Sequence, residues 1–286
     1  MKETIPHHGH STNSDRRRAE DLQSHLAALI ESVEDIPESV GFAFGTALLT
    51  MQCNCWVDRD AKYFKTCESF ATAMQLGAAM FAVSGSPSGE LRESLIAGKV
   101  RSLPTIGANS FANVENWITA FYLAIVCRDQ ARMNELCRIS SGSLRTSGAA
   151  DEFLYLWMDT LQKFWLQEDG LYAKLQQTIE ASYAEVVEIA SEGLLQTILY
   201  PPIHILHCLV FEGETQFNIA LKDALELHKI YWTSDIDRLS DVAGSIALAP
   251  LAMACIAYDM NIPVNVESSY IPELVLNGNW LDGFPI

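Results

Sequence analysis

The chain lacks the short signatures that carry most catalysis: there is no GxGxxG, no GxxxxGK[ST], no GxSxG and no HExxH. Dinucleotide, nucleotide, serine-hydrolase and zinc-protease chemistry in their usual forms therefore have no basis here. CxxC is missing as well. The seven cysteines, Cys53, Cys55, Cys67, Cys127, Cys137, Cys208 and Cys255, are odd in number and scattered through apolar stretches. That distribution excludes a disulfide framework and fits buried thiols in a reducing compartment.

Positive charge is scarce. With 19 Lys and Arg against 36 Asp and Glu, the formal charge is −17, which repels nucleic acid and anionic lipid headgroups and attracts basic partners. Long apolar runs are missing too. Val40–Met51 and Ile246–Tyr258 fall short of the roughly twenty residues that span a bilayer, so both read as core helices. Met1 to Asp15 has no secretory apolar run, and the expectation is a protein retained in the cytoplasm.

What is present is helical period. Residues 1–15 read as a disordered polar tail bearing His7, His8 and His10, and residues 16–286 as a single helical domain. From Arg16 the positions Leu22, Leu26, Leu29, Ile30 and Val33 make one apolar face before Pro37. Reversing its acids Glu20, Glu31 and Glu34 is expected to do little to partner binding.

A buried helix over Val40–Val57 and an amphipathic one over Asp58–Val83, closing in Ser84, Gly85, Ser86 and Pro87, form a hairpin with Asp58 or Asp60 as N-cap. The same arrangement recurs around Arg128 and Asp129, and again around Glu212, Gly213 and Glu214. Helices at Asp151–Gln167 and Leu171–Glu192 lie between, and an apolar helix ending at Tyr258 and Asp259 comes last. Leu95–Ile106 has no helical period and reads as an irregular loop or short hairpin. The turns at Asp58, Asp129, Glu212 and Asp259 are 71, 83 and 47 residues apart, which excludes a strict tandem repeat. The fold class is all-α, with helical hairpins packed into an irregular bundle or solenoid-like array.

Metal ligation has two weak starting points. Asp58 and Asp60 are separated by Arg59 and read as an ordinary helix start. His204 and His207 are three apart, but no carboxylate stands one turn away on the same segment, so core histidines are the reading, with no metal and no cofactor.

Charge distribution carries more. Residues 1–150 hold 16 acids and 14 bases, net −2; residues 151–286 hold 20 acids and 5 bases, net −15, with no Lys or Arg after Arg238. On the Leu171–Glu192 helix, Ile179, Tyr183, Val186, Val187 and Ala190 are expected to form the apolar stripe, with Glu185, Glu188 and Glu192 opposite. Glu180, Glu185, Glu188, Glu192, Glu212, Glu214, Asp235 and Asp237 are the candidate partner-binding residues.

Two stretches, NWITAFYLAIVCRDQARMNELCRI around Trp117 to Arg138 and PLAMACIAYDMNIPVNVESSYIPELVL over Pro250 to Leu276, resemble the immunity protein 49 family of bacterial polymorphic toxin systems. The resemblance runs from about Val40 onward, with Leu95–Ile106 and the N-terminal tail unmatched. It implies an all-α cytoplasmic protein, not an enzyme, that neutralises a cognate toxin by stoichiometric binding. The acidic half then suits a basic toxin, with a nuclease first among the classes. Trp117, Arg128, Asp129, Tyr258 and Tyr270 carry the resemblance and read as structural. The alternatives are a tetratricopeptide-like adaptor, or a helical small-molecule enzyme built on His204, His207 and Asp259.

Overall fold

The computed structural model describes residues 3–85 and 88–284. Some 64% of it is helical and 6% is strand, an all-α bundle of packed helical hairpins. Helix α1 (Asn13–Ser32) begins three residues before the expected Arg16, because Thr12 and Asp15 form a reciprocal capping box. It buries Ala19, Leu26 and Ile30 against α2 (Val40–Val57).

Helix α2 is apolar on nearly every side and is enclosed by α1 and α3 (Phe64–Ser84). Asp58 ends α2, and its carboxylate accepts from the Lys62 and Tyr63 amides and the Thr66 hydroxyl at 3.0, 2.7 and 2.8 Å. It thus satisfies the start of α3 from outside the helix, whose N-cap is Tyr63; Asp60, the other expected cap, pairs with Lys62 instead. Of the expected closing turn, Ser86 and Pro87 lie outside the described residues.

Strands β2 (Leu91–Ile96) and β3 (Lys99–Pro104) form an antiparallel hairpin through Ala97 and Gly98, both at positive φ. It is tied to α1 by Arg101, a guanidinium only 2% exposed that pairs with Glu31 and Glu34. Those two acids are therefore structural and cannot serve as freely reversible surface charges.

Helices α4 (Val114–Val126), α5 (Gln130–Leu136), α6 (Ser141–Leu144), α7 (Glu152–Leu166) and α8 (Leu171–Ala181) follow. Trp117 of α4 is fully buried and donates Nε1–H to the Leu136 carbonyl at 3.0 Å. Asp129 caps α5 and pairs with Arg132. Arg128 crosses to Asp259 and to the carbonyls of Val275 and Leu276. The two stretches that carry the family resemblance are thus clasped together by Arg128.

The remaining helices are α9 (Glu192–Leu194), α10 (Pro201–His207), α11 (Glu214–Trp232), α12 (Ile236–Leu239), α13 (Leu248–Asp259) and α14 (Glu273–Leu276). π-helical turns over Leu195–Leu199 and Cys208–Glu212 flank α10. Helix α13 packs on α4 and α10 in the largest buried cluster. By length and composition alone Pro37–Val57, Glu192–Glu212 and Val242–Asp259 are long and apolar enough to cross a membrane, so the expectation that apolar stretches are too short is corrected. The first and last are 61% and 67% buried within the protein. Their apolarity is used largely in packing.

The N-terminal segment differs from the expected mobile tail. Strand β1 (Glu3–Thr4) pairs in parallel with β4 (Val266–Glu267), Ile5 is buried, and Lys222 pairs with Glu3. The Tyr270 hydroxyl accepts from the His8 amide at 3.0 Å and donates to His8 Nδ1 at 2.6 Å. His7 Nδ1 accepts from the Gly9 amide, and its other ring nitrogen meets the Ser245 carbonyl at 3.3 Å. Both imidazoles stack against one another and edge onto Trp56. The polar tail is a strap because its histidines supply ring surface and acceptors to a buried aromatic pocket.

Candidate partner-binding surface

Helix α8 stops at Ala181, where the sequence predicts continuation to Glu192. The competitor is Asp151, at the start of α7. Its carboxylate accepts from the amides of Glu188, Ile189 and Ala190 at 2.8, 2.9 and 2.8 Å. A continuing helix would direct those amides to its own carbonyls. Burial pushes the Asp151 carboxyl up, but the three amides outweigh it and hold the group below the usual carboxylate range.

The outcome is a pinned surface loop, 182–191, rather than an amphipathic helix. Of the expected stripe, Ile179 and Val187 pack on the core, whereas Tyr183 and Val186 are more than half exposed. Ile189 is 61% exposed. Three large apolar side chains thus alternate with Glu185 and Glu188 on a backbone held in place. The missed signal was the acid at position 151, which no local period in 171–192 reveals.

Glu192 opens α9 and accepts from Gln196. At the far end of the same helical stretch, Glu212 faces His207, and Glu214 follows the Gly213 turn. The 21-residue stretch Glu192–Glu212 places its two ends about 30 Å apart at the usual helical rise. Helix α11 returns antiparallel, since Ala224, His228 and Trp232 share a cavity with Thr197 and Leu199. Asp235 and Asp237, just beyond α11, therefore lie at the Glu192 end.

The eight acids do not form one patch. Glu185, Glu188 and Glu192 with Asp235 and Asp237 occupy one end of the hairpin; Glu212 and Glu214 occupy the other; Glu180 sits on the exposed side of α8. Among the described residues, Asp235 pairs with Arg238, while Glu180, Glu185, Glu188, Glu192 and Asp237 have no Lys or Arg partner. Ile236, between Asp235 and Asp237, is 81% exposed and repeats the apolar–acidic alternation of the loop.

The residues of the enzyme alternative are dispersed. Asp259 is bound to Arg128, and the donor atoms grouped within 4.8 Å are those of His207, Cys208 and Glu212. An apolar cavity of about 370 Å³ lies between α2, α4, α7 and α11, with Met51, Ile118, Trp157 and Trp232 in its wall. Of its polar groups, Trp157 donates to the Tyr122 hydroxyl at 2.6 Å and His228 Nε2 donates to the Gly244 carbonyl at 3.1 Å, whereas the buried Trp232 Nε1 has no hydrogen-bond partner among the described residues.

No curated protein and no solved structure matches the chain. The sequence profile of the family described as immunity protein 49 matches residues 58–274. That span starts later than the expected Val40 and takes in the β2–β3 hairpin, which sequence resemblance alone left unmatched. It covers the Arg128–Asp259 pair of the clasp, the Asp151-pinned loop and the π-helical turns, and leaves out the Val275 and Leu276 carbonyls and the N-terminal strap. Because the match takes in most of the sequence, the chain belongs to the immunity protein 49 family.

Proposed function

We propose that the protein acts in the cytoplasm as a non-enzymatic inhibitor, neutralising one cognate toxin by stoichiometric binding, and that the 182–191 loop is central to the contact. The observation that supports this is the pinned exposure of Tyr183, Val186 and Ile189 among unpaired acids. Interfaces draw their affinity from a few large, pre-positioned apolar side chains, and rim charges set encounter rate and selectivity. A loop fixed by three charge-assisted hydrogen bonds loses little entropy on binding. The net charge of −15 in residues 151–286 favours a basic toxin, and a nuclease with a basic cleft fits that description best.

The test is co-purification with the toxin encoded next to the protein's own gene, with complex stoichiometry by light scattering and affinity by calorimetry. A 1:1 complex is expected, and Tyr183→Ala with Ile189→Ala should weaken it by about 2 kcal/mol or more without altering thermal stability. Unchanged affinity in this double variant places the contact elsewhere.

A further inference from the structure

The α10 region holds a cluster of His207, Cys208 and Glu212 that plays no part in the contact proposed above. In the Cys208–Glu212 π-turn, the Gly213 amide reaches back five residues to the Cys208 carbonyl at 2.9 Å. Such a turn is wider than an α-turn and brings residues five apart onto one face. His207 and Glu212, offset in an ordinary helix, now meet: Nδ1 lies 3.3 Å from Oε1. Cys208 Sγ lies 3.5 Å from Oε2 of the same carboxylate. An ordinary helix places no carboxylate one turn from His204 or His207; the π-turn brings Glu212 to His207.

We propose that His207 Nδ1, Cys208 Sγ and the Glu212 carboxylate bind a divalent transition metal of the zinc type, with a fourth position facing solvent. Tetrahedral coordination at about 2.0 Å to nitrogen or oxygen and about 2.3 Å to sulfur sets ligand edges of about 3.3 Å for N–O and about 3.5 Å for S–O. The two distances are of the size of these edges but run to different oxygens of one carboxylate, and one donor atom from each of the three residues lies within 4.8 Å of the others, so a small rotation of the carboxylate brings a single oxygen to both. The His204 ring, 3.7 Å from Sγ at its nearer nitrogen, borders the open position.

Nitrogen, sulfur and oxygen donors in one set suit zinc better than magnesium or calcium. Cys208 is only 1% exposed, while His207 and Glu212 reach solvent and provide the entry path. In the metal-free chain the thiol faces the carboxylate; on binding, the S–H bond breaks, the sulfur–metal bond forms and the proton leaves to water. The bound ion locks the wide turn beside Gly213. It thereby fixes Phe211, whose ring meets Tyr172 at 5.1 Å.

Cobalt(II) titration of the untagged full-length protein tests this independently of any toxin. One equivalent should produce a thiolate-to-cobalt charge-transfer band with tetrahedral d–d absorption, displaced by zinc. Cys208→Ser should abolish the charge-transfer band, and Glu212→Gln should weaken cobalt binding by at least about tenfold, with circular dichroism showing both variants folded. His7→Ala with His8→Ala, removing the strap imidazoles, should leave the band intact. No charge-transfer band in the parent protein, or a band that persists in Cys208→Ser, overturns the proposal.

Discussion

At the scale of single residues, the chain rests on charged groups that are buried and paired, Asp151, Arg101 and Asp58 among them. Asp151 is the clearest case, because its carboxylate decides where α8 ends. Asp151→Ala leaves the amides of Glu188, Ile189 and Ala190 without their partner, so a loss of about 1–3 kcal/mol is expected. Cleavage within 182–191 under limited proteolysis should accelerate more than global unfolding does. Equal protease resistance in the variant would show that the loop is held by Ile179 and Val187 packing alone. Arg128 and Asp129 were legible from sequence as structural, since an Arg–Asp step at a helical turn supplies caps and pairs. The reach of Arg128 to Asp259 was not, because 131 residues separate the partners. Trp117 and Tyr270 are buried as expected, whereas Tyr258, read with them, is 45% exposed.

Elements were legible where one helix face meets one core. The hairpin of α2 and α3, the α4–α5 pair and α13 follow from apolar period and turn residues. Three elements were not legible: the α8 ending depends on Asp151 and the strap on Trp56 and Tyr270, all distant in sequence, while the π-turns at Leu195–Leu199 and Cys208–Glu212 leave no mark in the apolar period. The strap carries a pH prediction. Burial, reinforced by Arg59 and His8, lowers His7 to about 3. Burial also lowers His228 to about 4 against the opposing Gly244 bond. His8 is lowered in the same direction by burial, Arg59 and Lys229. In the folded state these rings are neutral; unfolded, they titrate near 6.5. Between those values the unfolded chain binds more protons, so stability is complete above about pH 6.5 and declines as pH falls towards 4. His228, almost wholly buried, contributes on the order of 3 kcal/mol to that decline. Thermal midpoints measured from pH 7.5 to 4.5 should fall steadily, and His7→Asn should flatten part of the slope. A pH-independent midpoint across this range would mean the rings titrate in the folded state as they do in the unfolded chain.

At the scale of the whole molecule the dominant fact is electrostatic asymmetry, and it was fully legible, since it needs only counting. The bases of the acidic half are largely consumed: Lys163, Lys174, Lys222 and Arg238 each pair with a carboxylate. The unpaired acids therefore set the long-range field, and that field acts on the rate of encounter with a basic partner more than on the lifetime of the complex. Reversing Glu185, Glu188 and Glu192 together to lysine should slow association with the toxin and flatten its dependence on ionic strength, while the thermal midpoint stays nearly unchanged. The control needs equal charge in the other half without structural cost. Glu31 and Glu34 fail that requirement because they hold the buried Arg101. Glu20, Asp35 and Glu38 are exposed and have no ion-pair partner among the described residues, so their reversal changes net charge by the same amount. Stopped-flow association at several salt concentrations separates the outcomes. If local field matters, only the 185–192 variant loses its rate and salt slope; if both variants slow equally, net charge alone steers the encounter. If neither slows, the acidity is a solubility property and the contact with the toxin is uncharged.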